Sequence, residues 1–157
     1  MKLLSFLRTI AVIAVSLSCA QAYDFSKLTG KWTGERREVY DGTGVYSKVS
    51  LNARPLADEG LLIVESGKLP KLGRYTWRHS FHADGRYRAI AKNASGVIFA
   101  TTKGTWVEDG KLIRISGKNV NLTGSSTFEG KIERLPGGRL KYTGMSGTAR
   151  VVLTGKR

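Results

Sequence analysis

The sequence predicts an all-β protein: a single antiparallel up-and-down β-barrel of about eight strands, entered through a short N-terminal helical turn. Three observations carry that prediction. Apolar residues recur at every second position through most of the chain after residue 30, turn chemistry interrupts the alternation eight times, and 19 glycines are spread through 157 residues. A period of two with one wet face is the pattern of a strand. Short, hairpin-type connections favour an up-and-down barrel over a Greek-key sandwich, whose crossovers need longer loops. Closing the sheet also removes its exposed edges.

Residues 1–22 read as a secretory signal peptide rather than as part of the fold. Lys2 and Arg8 charge the beginning, an apolar run follows from Ile10 to Leu17, and Ala20-Gln21-Ala22 supplies the small-residue cleavage pattern. The apolar run is about half of the roughly 20 residues that a transmembrane helix needs. Cys19 would suit a lipoprotein, but the position three before it is Ser16 where a lipobox carries an aliphatic residue. The expected domain is therefore residues 23–157, exported to the periplasm or secreted. Cys19 is the one cysteine, so cleavage after Ala22 leaves a chain without disulfides, whose stability has to come from an ordinary core.

Tyr23 to Leu28 has the apolar spacing of one helical turn, and the first strand begins at Gly30-Lys31-Trp32. The turn signals that follow are Asp41-Gly42-Thr43-Gly44, Asp58-Glu59-Gly60, Ser66-Gly67, Asp84-Gly85, Asn93 to Gly96, Asp109-Gly110, Ser116 to Asn119 and Pro136-Gly137-Gly138. Asp-Gly between alternating segments marks a hairpin, because the tight primed turn needs positive φ. Between the turns, Tyr75, Trp77, His79 and Phe81 share one parity, as do Phe128, Gly130 and Ile132, and Ala149, Val151 and Leu153. Gly34, Gly104, Gly130 and Gly144 fall inside strands, where a small barrel needs room to curl.

The composition is lopsided, with 26 Lys+Arg against 12 Asp+Glu and a net charge of +14. Loss of Lys2 and Arg8 leaves 24 basic against 12 acidic residues, or +12, after cleavage. Such a field attracts polyanions in general, but the dispersion of the charges along nearly every strand favours simple solubility.

Several chemistries find no support in the residues. His79 and His82, the two histidines, lie three apart on a strand and so face opposite sides, which does not close a metal site. There is no Gly-x-Ser-x-Gly elbow and no phosphate-cradling Gly-Lys-Ser/Thr loop. Glu35, Glu38 and Glu65 could furnish a glycosidase-type carboxylate pair, but their spacing does not require one. Arg74 to Arg78 and Arg86 to Arg88 alternate cations with rings, which places the rings inside a barrel and the arginines outside, away from any stacking role on nucleic acid.

Leu28-Thr29-Gly30-Lys31-Trp32 resembles the entry of the calycin superfamily of lipocalins, fatty-acid-binding proteins and avidins, in which a short helical turn precedes Gly-x-Trp. The resemblance covers mainly this motif, the strand count and the domain length. It implies that Trp32 closes one end of the barrel under a basic side chain from the last strand or just beyond it, a role open to Arg150, Lys156 or Arg157. Gly30, Trp32 and Arg150 are taken as the structural motif. Avidins share the Leu-Thr-Gly-Lys-Trp-Thr start, but Gly34 to Glu38 lacks the Asn and Ser that would meet biotin. Trp77 to Tyr87, with a shorter echo at Trp106 to Leu112, is similar to bacterial exported lipocalin-like domains of no assigned chemistry.

The candidate ligand-binding residues are Tyr75, Trp77, Phe81, Tyr87, Phe99 and Trp106. Concave apolar sites are lined by such rings with a few polar groups for orientation, although the same rings could simply fill a barrel of this size. The expectation is a non-enzymatic barrel that binds a small apolar or amphipathic ligand, without metal or cofactor. The alternative is a basic module that binds an anionic envelope polymer or an acidic protein. Neither a specific nucleic-acid partner nor a membrane span is expected.

Overall fold

The computed structural model describes residues 23–40, 42–70 and 72–157, so the expected signal peptide lies outside the described residues. A short 3-10 turn, Phe25–Lys27, leads into ten strands: β1 Gly30–Tyr40, β2 Thr43–Pro55, β3 Leu61–Leu69, β4 Gly73–Phe81, β5 Arg86–Asn93, β6 Ile98–Asp109, β7 Leu112–Asn121, β8 Gly124–Leu135, β9 Arg139–Ser146 and β10 Ala149–Lys156. Each strand pairs antiparallel with the next, and β1 closes the barrel on β10 from Thr33↔Lys156 to Val39↔Arg150.

The all-β antiparallel barrel is as the sequence predicts, but it has ten strands rather than eight. Two turn signals lie in mid-strand. Gly67 sits in β3 with the Tyr75 ring folded over it, where an added Cβ would stand 2.7 Å from the Tyr75 hydroxyl. Gly117 sits in β7 opposite Gly104, and a Cβ there would come within 2.3 Å of the Lys103 carbonyl. Both glycines make room for a neighbour rather than reversing the chain. Conversely, the chain reverses between the paired residues Leu69 and Gly73, at Leu122-Thr123 and at Gly147-Thr148 without an Asp-Gly signature. All four of the expected in-strand glycines fall in three cross-strand glycine pairs: Gly34↔Gly155, Gly104↔Gly117 and Gly130↔Gly144. At Gly34 a Cβ would lie 1.8 Å from the Thr154 carbonyl, so the strands could not approach as they do with any other residue.

One end of the barrel is plugged. The Asp24 carboxylate accepts the Ser26 N–H and fixes the 3-10 turn, which drives Phe25 and Leu28 into the barrel against Trp32, Phe81 and Trp106. Full burial of two such side chains contributes about 1.5–3 kcal/mol each. Trp32 donates from Nε1 to the Leu28 carbonyl at 3.1 Å. The cation over its ring is Arg157, 5.0 Å from the centroid, and this guanidinium also donates to the carbonyls of Lys27 and Thr29. Arg150, by contrast, is exposed and pairs with Val39 at the far end of β1, so the C-terminal residue and not Arg150 takes that place. Gly30 has φ +126°, which is why glycine begins this motif.

Candidate functional site

Following the alternation inward from Trp32 places Gly34, Arg36 and Glu38 on the inner face of β1, and their neighbours Glu35 and Arg37 outside. Arg36 and Glu38 are 5% and 3% exposed, and Glu65, from the inner face of β3, is 1% exposed. Three buried ionisable side chains in one small barrel are costly unless they satisfy one another. Arg36 donates from Nε to Glu38 Oε1 at 2.6 Å, pairs with the same oxygen through Nη2, and donates from Nη1 to Glu65 Oε1 at 2.7 Å. The Tyr75 hydroxyl donates to the same Glu65 oxygen at 2.7 Å. Burial opposes the charge on Arg36, but Glu65 and Glu38 more than offset it and hold the guanidinium more firmly protonated than usual. The Tyr75 hydroxyl is pushed up by burial and by the Glu65 charge.

His79 lies on the inner face of β4 beside this group. Its Nδ1 shares a hydrogen with the Tyr87 hydroxyl at 2.8 Å, and its Nε2 is 3.9 Å from Glu65 Oε2, beyond hydrogen-bond length. Burial lowers its pKa to about 4, Glu65 working against that shift and Arg36 adding to it, so the imidazole is neutral at neutral pH. The ring stacks on Trp77 at 5.6 Å. Tyr87 and Tyr142, which complete this layer, are held protonated chiefly by burial.

Above the charged layer the barrel is hollow. A cavity of about 380 Å³ opens toward the end opposite the plug, with Arg36, Glu38 and His79 at its floor and Trp77, Tyr87, Phe99, Phe128 and Tyr142 among its walls. Thr102, Asn119 and Ser146 add a polar strip on the far wall, where Thr102 donates to Asn119, and Asn119 donates to Ser146, at 3.1 Å each. Leu122 and Met145 stand near the mouth. A second void of about 20 Å³ lies on the plug side of the charged layer, between Glu65, His79, Tyr142 and aliphatic side chains.

Of the six candidate aromatic residues, Trp77, Tyr87 and Phe99 line the cavity. Tyr75 stands in the charged layer as a donor to Glu65. Phe81 and Trp106 belong to the plug, where Trp106 donates from Nε1 to the His82 carbonyl at 2.7 Å. The rings therefore both fill the barrel, toward the plug, and surround space, toward the mouth. His82 faces outward and bonds Asp58 at 2.8 Å, so the two histidines do diverge. Glu35 is exposed, whereas Glu38 and Glu65 meet at Arg36.

Arg36, Asn119 and Tyr142 are the site residues that sequence reasoning missed, and Glu38 was weighed only with Glu35 and Glu65 as a carboxylate pair. The signal for Arg36 and Glu38 was present: they share a parity with Trp32, so an inward Trp32 commits both to the interior. Asn119 was hidden inside a stretch read as a turn.

No protein-family model and no curated protein matches the chain. Among solved structures the chain is similar to Rv2717c from M. tuberculosis, with a TM-score of 0.57 and 14% sequence identity over 85% of this chain and 94% of that one. At that identity the likeness establishes the barrel fold.

Proposed function

We propose that the protein is an exported carrier or sensor that holds one small amphipathic molecule inside its barrel and acts by binding rather than by catalysis. The observation that carries this reading is the cavity of about 380 Å³, whose walls are aromatic and whose floor is a buried Arg36–Glu38–Glu65 group. Its size lies at the small end of the range for ligand pockets, and its lining is the usual one: mostly apolar, with a few convergent polar groups. The plugged end, closed by Trp32 under Arg157, agrees with the lipocalin-like, calycin resemblance of the entry motif. Residues 1–22 carry the proposal of export. Among the described residues no helix is long and apolar enough to cross a membrane.

Glu38, Glu65 and His79 form the kind of buried cluster an enzyme could use. Arg36, however, takes a carboxylate oxygen of each glutamate, and His79 gives one nitrogen to Tyr87, which suits a fixed polar floor better than proton transfer. Titration of the purified protein with a neutral naphthalene fluorophore tests the reading. Saturable binding at one site is expected, and Val151→Trp, which fills the cavity from β10, should weaken it at least about tenfold. Absence of saturable binding, together with native mass spectra showing only bare protein from its own host, would sink it.

A second reading rests on the exterior. Arg37, Lys68, Lys92, Lys118 and Arg150 are exposed toward the open end, alongside exposed Tyr46, Ile98, Val120 and Leu122. Such a rim suits an anionic envelope polymer or an acidic protein partner. Retention on heparin that survives physiological salt supports it, and release at low ionic strength reduces the charge to a diffuse field.

A further inference from the structure

The open end of the barrel carries a surface of its own. We propose that this end docks on an anionic lipid bilayer, with its cations against the phosphates, its apolar tips in the interface and the cavity mouth facing the membrane. This sharpens the second reading above, which leaves the anionic partner open, and rests on the same rim; it does not depend on what the cavity holds.

The argument starts from where the surface charges fall. Arg37, Lys68, Arg74, Lys92, Lys118 and Arg150 are exposed near the open-end termini of their strands, and among the described residues none of them forms an ion pair. The surface acids gather elsewhere. Asp58, Glu59, Asp84 and Asp109 sit in or beside the loops of the plugged end, with Asp24, Glu108 and Glu133 toward the same end, while Glu35 and Glu129 lie in mid-strand. Asp41 and Lys71, which stand between these strands in the sequence, add one charge of each sign. Among the described residues the molecule is therefore polarised along its axis, with both signs around the plug and cations around the mouth.

Exposed apolar side chains follow the same axis. Among the described residues Tyr46, Val97, Ile98, Val120, Leu122 and Met145 are the large hydrophobics exposed at the open end, and Val107 is the one exposed toward the plug. Leu122, at the tip of the β7–β8 hairpin, is 79% exposed. Apolar residues scattered singly over a surface are ordinary, but a set gathered on one rim marks a contact surface.

The combination favours lipid over a soluble polyanion. A hydrated polymer answers the cations but offers nothing to Val97, Val120 or Leu122, whereas the bilayer interface takes both kinds of side chain. Arg37 lies 5.3 Å from the centroid of the Tyr46 ring, a cation and a ring of the type that suits headgroup level. Arg37 and Arg150 also border a groove on the outer wall lined by Val39, Val152 and Met145, which suits a phosphate above an acyl chain. Farther along the wall Lys48, Arg88, Lys103 and Arg114 are exposed in mid-strand, so the outer face has no apolar belt and the barrel meets the bilayer by its rim.

Flotation of the purified protein with phosphatidylcholine vesicles, with and without about 30% phosphatidylglycerol, tests this at physiological salt. The anionic vesicles should bind at least about tenfold more tightly than the neutral ones. Val120→Thr with Leu122→Ser removes exposed apolar surface without touching a charge; it should weaken vesicle binding at least about fivefold and leave retention on heparin as it was. Arg37→Gln with Arg150→Gln should weaken both at least about tenfold, whereas Lys31→Gln with Arg139→Gln at the plugged end should change neither by as much as about twofold. Vesicle binding that does not distinguish the two lipids, or that the plug-end variant loses as fully as the rim variant, overturns the proposal. Retention on heparin without vesicle binding overturns it and leaves a polymer as the partner of the rim. Release from both at low ionic strength overturns the reading of the rim itself.

Discussion

Replacing Arg36 by methionine is the sharpest perturbation of this molecule. Methionine follows the path of the arginine stem, so the packing loss is small, but Glu38 and Glu65 lose the cation that both of them contact at 2.6 to 2.7 Å. Removing one partner of a buried ion pair costs about 3–5 kcal/mol, because the other charge is left without compensation. For a domain of this size that corresponds to a fall in Tm of about 10–15 °C. The deficit should depend on pH. Arg36 is one of the causes that depress the His79 pKa, and Glu65 acts in the other direction, so without Arg36 the imidazole takes up a proton at higher pH and partly replaces the lost cation. The variant should therefore be worst at pH 8 and recover relative to the wild type as the pH falls toward 5. Urea unfolding followed by tryptophan fluorescence at several pH values measures this. A deficit that is the same at every pH, or smaller than about 0.5 kcal/mol at pH 8, would refute the claim that this guanidinium compensates two buried carboxylates. Arg36→Met combined with Glu38→Gln and Glu65→Gln should recover much of the loss, since replacing a whole buried ionic group is often close to neutral.

Three further outcomes follow from the same geometry. The His79 pKa lies at about 4 in the folded protein against 6.5 unfolded, so its contribution is present above pH 6.5 and is lost as the pH falls toward 4. By linkage this amounts to about 3 kcal/mol; His79→Gln should flatten the acid limb of the stability curve over that window, and an unchanged limb would assign acid sensitivity elsewhere. Arg157→Ala should cost about 0.5–2 kcal/mol through loss of the cation over Trp32, whereas exposed Arg150→Ala should stay within about 0.5 kcal/mol, both read by thermal unfolding. Gly34→Ala places a methyl 1.8 Å from the Thr154 carbonyl and should cost about 1–3 kcal/mol or more, seen also as faster amide exchange along the β1–β10 seam; exchange unchanged there would mean that the seam yields at little cost.

How much of this was legible beforehand differs between fold and site. Strand parity placed Tyr75, Trp77, His79 and Phe81 on one inner face, a local pattern fixed by the pleat, and the plugged end was what the resemblance carried by Gly30-Lys31-Trp32 implied. The same parity applied to β1 would have sent Arg36 and Glu38 inward, against the habit of charged residues to stay wet. That habit concealed the site, because it fails only where a buried charge finds its partner, and the partner here is 29 residues away on β3.

The sequence alone therefore determined the class of structure: alternation dictates half-buried strands, and short connections dictate sequential antiparallel pairing. Tertiary structure decided what local chemistry leaves open. It made Gly67 and Gly117 points of close contact rather than turns, reversed the chain after Leu69, Asn121 and Ser146 to make ten strands, and chose Arg157 over Arg150 as the cap of Trp32. It also brought Arg36, Glu38, Glu65 and His79 into one layer beneath a hollow. The reason is register: the pairing offset of each strand on the next sets which inward side chains share a level of the barrel, and that offset belongs to the closed sheet as a whole.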